Sequence, residues 1–471
     1  MSIMRNLLNI IVIILCGCLY SCCTEGARQT KSGEVCSHTI QVSSLFPSSS
    51  PCLVSSKAPN TKSSLRVVHR HSTCSHLSSG RATTNPDHDE ILRLDQARVD
   101  SINYKISKDR VRPMKSTDVP AKNWGSGPGT YIVTIGIGTP KHDLSLLFDT
   151  GSDLTWTQCQ PCVGGHCYSQ NEPLFNPSLS SSYSNVSCSS PVCDLLEKQE
   201  LNGGCSASIC GYKTSYLDND ATSGFLAKEK FTLTSSDVFD GVNFGCGNHN
   251  EAKHMKEVAG ILGLGPGELS FPSQTAKTFN KIFSYCLPSS ASNFAGHLTF
   301  GSAGISKSVK YTPVSSESSH RLNIVGITVC DKQLEIPSTV FSTSSAVIDS
   351  GTMITRLPSI AYSALESAFK EKMSIYKITS ASEILETCYD FSGLKTVTIP
   401  KIAFSFGGGT IVELDPKGIL YPIKISQVCF AFARNNKDTD ATIFGNVQQQ
   451  TLQVVYDGAA KRIGFAPNGC T

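Results

Sequence analysis

The sequence predicts an all-β protein that consists of two related β-barrel-like lobes. From Tyr131 onward, short apolar strand-like runs alternate with stretches of Gly, Ser, Pro and Asn. One motif also occurs twice, each time directly after an apolar run. Many short strands at close spacing are typical of packed barrels or sandwiches, and the repeat indicates that one lobe resembles the other.

The predicted strands begin at Tyr131, where the side chains alternate with period two before a turn at Thr139-Pro140. Further strand-like runs cover residues 144–148, 231–233, 242–244, 297–300, 346–348, 397–399, 402–406 and 452–456. Beyond residue 130, only residues 363–373 are predicted to form a clear helix.

Length and charge exclude some partners but identify none. A chain of 471 residues is typical of two or three domains. Its formal net charge of +3 is too small for that length to indicate a nucleic-acid partner. It also has no long basic tract of the kind that follows a phosphate backbone. We therefore expect no nucleic acid among its partners.

The first residues have the pattern of a signal peptide. Arg5 precedes an apolar run at residues 7–15, which is too short for a comfortable membrane span. A membrane anchor is the alternative. Once the signal peptide is removed, we expect no membrane contact and a secreted, extracellular (apoplastic) protein.

The next segment differs in composition from the rest of the chain. It begins with a stretch rich in Ser, Thr, Lys and Pro, followed by a strand-like run at 65–71 and a helical pattern at 87–107. This composition fits an exposed, removable propeptide whose junction lies near residues 115–128. The predicted divisions are a signal peptide at 1–23, a propeptide at 24–120, and two lobes at 121–310 and 311–471.

Cysteine usage agrees with secretion. Twenty cysteines behind a signal peptide indicate disulfides formed in an oxidising compartment. Seven precede residue 121 and thirteen follow it, and because thirteen is odd, one cysteine of the lobes is expected to lack an intramolecular partner. Zinc is the alternative to disulfides for one group, which has the spacing of a metal site: Cys159, Cys162, His166 and Cys167.

The repeated motif is an Asp followed by a hydroxyl residue, Gly and a second hydroxyl residue. Its two copies are Asp149-Thr150-Gly151-Ser152 and Asp349-Ser350-Gly351-Thr352. A second echo follows each copy, first as Ile261-Leu262-Gly263 and then as Ile443-Phe444-Gly445. The same order at similar spacing implies two related lobes. Two structural Asx turns are the alternative interpretation of the motif itself.

The motif suits acid–base chemistry on water. An Asp at the end of an apolar strand is partly desolvated, which disfavours its charged form. The following Gly permits a tight turn, and the hydroxyls can orient the carboxylate. Two such carboxylates brought together would share one proton, because both cannot easily ionise. One can then take a proton from an attacking water while the other protonates the forming oxyanion.

These residues resemble the pepsin-like aspartic proteases, and among them the plant nepenthesin-like branch, over residues 128–471. The resemblance implies a bilobal pepsin-like fold with the active-site cleft between the lobes. It implies a catalytic dyad of Asp149 and Asp349, supported by the Thr, Ser and Gly residues of both motifs. It also implies that Trp156 supports a flap and that Tyr216 on this flap closes over the substrate.

The resemblance further implies a disulfide pattern. The implied pairs are Cys159–Cys162, Cys167–Cys246, Cys188–Cys210, Cys193–Cys205, Cys286–Cys470 and Cys388–Cys429. Cys330 is left over in this pattern and would be a free thiol. Asn185, in the sequon Asn185-Val186-Ser187, is the predicted N-glycosylation site.

Together these features predict a secreted aspartic endopeptidase, made as a precursor, that cleaves extended polypeptides at acid pH. We expect it to act as a monomer without a cofactor or a metal. The alternative is a non-catalytic protein of the same fold that acts as a protein inhibitor or binds the cell wall. Such relatives tend to lose one Asp element or the flap Tyr, whereas this chain has both elements and Tyr216.

Overall fold

The computed structural model describes residues 36–47, 50–53, 63–78, 86–111, 129–199, 201–215, 220–252, 255–315, 320–343 and 346–470. The chain divides into two compact units, Met1–Ser37 and His38–Thr471. Within the first unit, only Cys36 and Ser37 are described. The predicted signal peptide, the flap residue Tyr216 and the predicted propeptide junction at 115–128 lie outside the described residues.

The segment before residue 112 is called here the N-terminal segment. Its described elements are β1 (Ser37–Gln41), β2 (Ser64–His69) and α1 (His88–Val111), with short 3₁₀ helices at Val42–Leu45 and His76–Ser78. The strand-like run at 65–71 and the helical pattern at 87–107 are therefore confirmed. Leu92, Val99 and Ile102 are buried on one face of α1, as the spacing of threes and fours predicted.

The first lobe is built almost entirely of short strands. They are β3 (Tyr131–Ile137), β4 (His142–Asp149), β5 (Trp156–Gln158), β6 (Ser184–Asn185), β7 (Asn202–Ser206), β8 (Ile209–Ser215), β9 (Ala221–Thr232), β10 (Val238–Glu251), β11 (Gly260–Gly263), β12 (Ile282–Cys286), β13 (Gly296–Phe300) and β14 (Lys310–Pro313). Helices of this lobe are α2 (Pro191–Lys198), α3 (Phe271–Gln274) and α4 (Ala276–Phe279), with 3₁₀ turns at Val163–Gly165 and Pro177–Leu179.

The second lobe is also dominated by strands. They are β15 (Arg321–Leu322), β16 (Ile324–Val329), β17 (Lys332–Gln333), β18 (Ala346–Ile348), β19 (Thr355–Leu357), β20 (Lys377–Thr379), β21 (Cys388–Asp390), β22 (Thr396–Pro400), β23 (Ile402–Phe406), β24 (Thr410–Glu413), β25 (Leu420–Lys424), β26 (Gln427–Phe430), β27 (Phe432–Arg434), β28 (Thr442–Phe444), β29 (Gln453–Asp457) and β30 (Arg462–Ala466). Its helices are α5 (Ser338–Thr343), α6 (Ser359–Lys372) and α7 (Asn446–Gln449), with 3₁₀ turns at Gly407–Gly409 and Pro416–Gly418.

The helix predicted at 363–373 is confirmed as α6, which begins earlier, at Ser359, directly after Pro358. The other helices of the lobes were not predicted. Those of four to six residues are too short to show helical periodicity. The eight-residue α2 starts with the Ser190 side chain accepting from the N–H of Val192 and with Pro191 at its first position, a common start of a helix.

The largest described sheet joins both lobes and the N-terminal segment. Its strand order is β14-β30-β29-β12-β13-β2-β3-β4-β11-β5-β10-β9-β8-β7, with β6 paired to β9. Strand β2 lies between β13 and β3 and is antiparallel to both. The N-terminal segment is therefore part of the central sheet. The other described sheets are β15-β18-β28-β19-β27, β17-β16-β23-β24, β20-β21-β26-β25 and the pair β1-β22.

The two lobes repeat one arrangement of four strands. In the first lobe the order is β4-β11-β5-β10, and in the second it is β18-β28-β19-β27. The second strand of each set runs parallel to the strand that leads to the motif Asp and antiparallel to the third. The third and fourth are parallel in both sets. This equivalence confirms the two related lobes that the duplicated motif predicted.

Seven disulfides have both partners described: Cys52–Cys74, Cys159–Cys246, Cys162–Cys167, Cys188–Cys205, Cys193–Cys210, Cys286–Cys470 and Cys388–Cys429. The predicted pairs Cys286–Cys470 and Cys388–Cys429 are confirmed. Cys330 is disulfide-bonded as well, so the prediction that it is a free thiol was wrong. That prediction assumed that cysteines of the lobes pair only with one another.

Four predicted pairs were wrong, and strand register explains two of them. Strand β10 runs parallel to β5, and the N–H of Cys159 donates to the carbonyl of Gly247 at 2.7 Å. Cys159 therefore lies beside Cys246 rather than pairing with Cys162. Cys162 and Cys167, which flank the 3₁₀ turn at Val163–Gly165, pair with each other instead of with Cys159 and Cys246.

The other two wrong pairs are Cys188–Cys210 and Cys193–Cys205, whose partners are exchanged in the structure. Cys188 pairs with Cys205 on β7, and Cys193 pairs with Cys210 on β8. Helix α2 packs Cys193 against the apolar cluster that contains the fully buried Cys210. Cys205, on the neighbouring strand, is exposed, and the N–H of Cys188 donates to Ser208 at the hairpin turn. Cys193 therefore pairs with the buried Cys210 within this cluster, and Cys188 pairs with the exposed Cys205.

Candidate active site

The fold brings the two motif Asp residues together at the ends of equivalent strands. Asp149 ends β4, where Gly263 of the parallel strand β11 lies opposite it. Asp349 follows β18, and its N–H donates to the carbonyl of Phe444 on β28 at 3.2 Å. The repeated triplets Ile261-Leu262-Gly263 and Ile443-Phe444-Gly445 thus form most of the parallel strand beside each Asp. Both carboxylates are buried, with Asp149 4% and Asp349 0% exposed.

Each carboxylate is held by the residues that follow it in the motif. Oδ1 of Asp149 accepts from the N–H of Gly151 at 3.0 Å, and Oδ2 accepts from the hydroxyl of Ser152 at 2.6 Å. Oδ1 of Asp349 likewise accepts from the N–H of Gly351 at 3.2 Å. Oδ2 of Asp349 accepts from the hydroxyl of Thr352 at 2.6 Å. The two sets of hydrogen bonds are the same, so each Asp has one fixed orientation.

The second residue of each motif binds the other lobe. The N–H of Thr150 donates to the hydroxyl of Ser350 at 2.9 Å, and the N–H of Ser350 donates to the hydroxyl of Thr150 at 3.0 Å. The two hydroxyls are 3.2 Å apart, and both residues are buried. These reciprocal bonds link the two loops and keep the carboxylates at a fixed separation.

Glycine is required because the carboxylate of the opposite lobe occupies the place of a side chain. A methyl group added at Gly351 would lie 2.8 Å from Oδ1 of Asp149. One added at Gly151 would overlap Oδ1 of Asp349. The absence of both side chains therefore allows the two carboxylates to approach.

Arg98, on α1 of the N-terminal segment, binds both carboxylates. Its Nη2 lies 2.8 Å from Oδ1 of Asp149 and 3.0 Å from Oδ1 of Asp349. Its Nη1 also donates to Oδ2 of Asp149 at 3.3 Å, and its Nε donates to Oδ2 of Asp349 at 3.1 Å. Burial lowers the pKa of Arg98, but the two carboxylates raise it further, so the net shift is upward. The guanidinium fills the place between the two carboxylates.

Arg98 was not among the predicted site residues, although the helical pattern around it indicates a buried charge. Asp95 and Arg98 stand on the face of α1 that also carries Ile91 and Ile102, at the spacings of three and four residues that mark a buried face. Two charged residues at buried positions need partners of opposite charge. No residue of the predicted propeptide was proposed to contact the two Asp residues.

Other groups around the dyad are buried and neutral at moderate pH. Trp156 is 1% exposed and packs in one apolar cluster with Tyr212. His320 lies 3.3 Å from the carbonyl of Thr150, and its ring meets that of Tyr456 edge-on at 4.4 Å. Burial lowers the pKa of His320 to about 4. Burial also raises the pKa of the Tyr456 hydroxyl.

Two further predicted features lie outside the dyad. Asn185 pairs with Ala227 at the edge strand β6, and its exposed side chain accepts from the hydroxyl of Tyr183 at 2.9 Å. Cys159, Cys162 and Cys167 form disulfides, which excludes the predicted zinc alternative for them. In the described part of the chain, one set of ligand atoms lies within 4.8 Å of one another and could share a cation: those of His166, His249 and Glu251.

The bilobal fold and its paired motifs define the pepsin-like class of aspartic proteases. A family model described as "Xylanase inhibitor N-terminal" matches residues 131–302, and "Xylanase inhibitor C-terminal" matches 320–467. A solved structure titled "Crystal structure of edgp" aligns with a TM-score of 0.58 at 20% identity, covering 72% of this chain and 91% of that one. At that identity the likeness supports the fold alone.

Sequence comparison shows the family. The chain is 65% identical to "Aspartyl protease family protein At5g10770" and 63% identical to "Aspartyl protease AED1", both of Arabidopsis thaliana, over 100% of each chain. It is 35% identical to "Aspartic proteinase nepenthesin-2" of Nepenthes gracilis, over 80% of this chain and 90% of that protein. The chain belongs to the plant nepenthesin-like family of aspartic proteases.

Proposed function

We propose that this chain is the precursor of a secreted aspartic endopeptidase in which Asp149 and Asp349 activate a water molecule. The observation that carries the proposal is that the two carboxylates accept the same set of hydrogen bonds, each from the Gly N–H and the hydroxyl of its own motif. An Asp that only stabilised a turn would not need the same hydrogen bonds repeated in the other lobe. It would also not need a glycine whose missing side chain leaves room for the opposite carboxylate.

The proposed reaction is hydrolysis of a peptide bond in an extended polypeptide. The dyad holds one proton, and the ionised carboxylate takes a proton from water as the water oxygen attacks the carbonyl carbon. The other carboxyl gives its proton to the carbonyl oxygen, so a neutral tetrahedral intermediate forms. In its collapse the C–N bond breaks, the protonated carboxyl gives its proton to the leaving amine, and one hydroxyl of the intermediate gives its proton to the ionised carboxylate, so the dyad again holds one proton. Activity is expected at acid pH and is lost when both carboxylates ionise.

We propose that the N-terminal segment keeps the precursor inactive until it is cut near residues 115–128. Arg98 supports this role because its guanidinium occupies the position between the two carboxylates. Strand β2 adds to the attachment by pairing within the central sheet. Secretion is supported by the disulfides, which form in oxidising compartments. Glycosylation at the exposed Asn185 is part of the same proposal. Among the described residues, no helix is both long and apolar enough to cross a membrane.

A non-catalytic inhibitor is the second candidate, because both family models carry the words "Xylanase inhibitor". Two observations favour the protease. Neither Asp is replaced, and both hydroxyl residues that hold the outer oxygens are present. The relatives of highest identity given above are also named as aspartyl proteases. An inhibitor that acts through surface loops has no use for an intact dyad.

The test is cleavage of denatured globin by the acid-processed protein, with and without pepstatin. We expect cleavage that pepstatin blocks and that Asp349→Asn abolishes, since this change keeps the side-chain shape but removes the ionisable group. The matched control is Asp331→Asn, which changes a carboxylate on an exposed turn and should leave cleavage unchanged. A folded, fully processed wild-type protein that cuts nothing would favour the inhibitor instead.

A further inference from the structure

A second buried arginine faces the N-terminal segment beside the dyad. Arg356, in the middle of β19, is 0% exposed. Its Nη2 lies 2.9 Å from Oδ2 of Asp95 and donates to Oε1 of Gln96 at 3.3 Å. Within its own lobe, Nη1 donates to the carbonyl of Ile354 at 2.7 Å. Nε is buried and has no acceptor among the described residues. Its partners outside its own lobe therefore come from α1.

The carboxylate of Asp95 occupies a set of three converging donors. Besides Arg356, it accepts from the N–H of Met353 at 2.5 Å and from the N–H of Ile354 at 3.2 Å. Both N–H groups belong to the loop that continues directly from the Asp349 motif. A guanidinium and two backbone N–H groups are a strong combination for a carboxylate. The site would lose its carboxylate when α1 leaves.

This site is close to the reacting position. Asp95 precedes Arg98 by three residues on α1, which corresponds to about 4.5 Å along the helix axis. Arg98 lies between the two catalytic carboxylates, so Asp95 marks a position within one helical turn of them. An extended peptide advances about 3.3 Å per residue. A substrate side chain that reaches the donors now held by Asp95 therefore belongs to a residue within about two positions of the cleaved bond.

We infer that Arg356, with the N–H groups of Met353 and Ile354, forms a subsite for an aspartate or glutamate side chain of the substrate. The inference rests on the proposed protease function. In the precursor, Asp95 acts as the stand-in for that side chain. After processing, the guanidinium is left facing the cleft without a counter-ion, and a substrate carboxylate restores the ion pair and the backbone hydrogen bonds.

The test compares peptides that differ only in Glu or Gln, placed in turn at the two positions on each side of the cleaved bond. For the processed wild-type chain at pH 5.5, we expect kcat/KM to be about tenfold or more higher with Glu at one position. At pH 3 the preference should vanish, because a glutamate side chain with a pKa near 4.3 is then mostly neutral. In Arg356→Gln the preference should vanish at both pH values, while the Gln peptide is still cleaved.

Arg356→Gln alone would leave Asp95 buried without a cation and could prevent folding of the precursor. The variant is therefore made as Asp95→Asn/Arg356→Gln, whose processed form differs from wild type only at residue 356. The matched control is the wild-type chain processed in the same way, because Asp95→Asn alone would leave Arg356 buried without its carboxylate. Equal cleavage of all Glu and Gln peptides by the wild type would overturn the subsite alone. A preference that survives in the double variant would overturn the role of Arg356. Absence of any cleavage by the wild type would overturn the protease proposal and the subsite with it.

Discussion

Thr150 and Ser350 exchange hydrogen bonds across the two lobes, and the N–H of each donates to the hydroxyl of the other at 2.9 and 3.0 Å. The exchange links the loops that carry Asp149 and Asp349. Each lobe therefore supplies both a carboxylate and the means of positioning the opposite carboxylate. Several expectations about activity and stability depend on this symmetry.

Replacing Thr150 by Val is expected to weaken the link between the two lobes and to lower the activity. The change keeps the side-chain shape but removes the hydroxyl that accepts from Ser350, which leaves a buried N–H without a partner. Such a loss costs about 1–3 kcal/mol. The free energy of unfolding, from denaturant titration of the processed protein, and kcat should both fall. Thr396→Val, at an exposed position of β22, is the control. Unchanged kcat in Thr150→Val would mean that the hydrogen bonds between Thr150 and Ser350 do not position the two carboxylates.

Adding one methyl group at Gly351 is expected to abolish most of the activity. The new carbon would lie 2.8 Å from Oδ1 of Asp149 and would push that carboxylate away from its place. Displacement of a catalytic group by about 1 Å can lower the rate by about 10²-fold. Steady-state kinetics of Gly351→Ala measures this loss. Gly407→Ala, where the added carbon would meet its nearest neighbour at 3.4 Å, should be close to wild type. Equal kcat/KM values for Gly351→Ala and Gly407→Ala would show that a side chain at residue 351 does not displace the Asp149 carboxylate.

Acid is expected to favour release of the N-terminal segment through the buried His69 and, less strongly, through the more exposed His71. Burial, aided by His71, lowers the pKa of His69 to about 3, and burial, aided by Arg70 and His88, lowers that of His71 to about 4. In the released segment both should return toward 6.5. The released state therefore binds more protons as the pH falls below 6.5. The buried His69 contributes up to about 1.4 kcal/mol per pH unit toward release, and the exposed His71 contributes less because solvent screens its charge. Asp95 works in the opposite sense at lower pH, because burial raises its pKa.

This expectation is tested by following processing of the precursor between pH 6.5 and 4. In His69→Gln/His71→Gln the pH of half-maximal processing should move downward, since two proton-binding groups are lost. His142→Gln, at an exposed position of the first lobe, serves as the matched control. A midpoint that stays at the wild-type pH in the double variant would show that these histidines do not drive release.

The duplicated sequence motif was enough to predict the lobes and the dyad, because the chemistry of each Asp depends on its own neighbours in the chain. The strands beside each Asp could also be anticipated from the repeated Ile-Leu-Gly and Ile-Phe-Gly triplets. The disulfides near Cys159 could not be derived in this way. Their pairing depends on the parallel register of β5 and β10, which are far apart in sequence. Spacing along the chain does not determine such a contact.

The same limit explains why Arg98 and Arg356 were missed. A charged residue on the apolar face of a helix indicates a buried partner but does not say which one. Arg98 and Asp349 are separated by 251 positions, and Asp95 and Met353 by 258. Only the docking of α1 between the lobes brings these groups together. The reactive residues were therefore readable from local patterns, whereas the groups that occupy the cleft were not.

We propose that the paired carboxylates form a working protease site that Arg98 fills in the precursor. Pepstatin binding is measured by calorimetry at a mildly acid pH above that of half-maximal processing, where the N-terminal segment stays docked and uncut. We expect the processed chain to bind pepstatin and the precursor not to bind it. The Arg98→Gln precursor should bind measurably, because it should have lost about 3–5 kcal/mol of the free energy that docks the N-terminal segment. The control precursor Arg93→Gln, changed on the exposed face of α1, should not bind. Failure of the processed, folded chain to bind pepstatin would contradict the account.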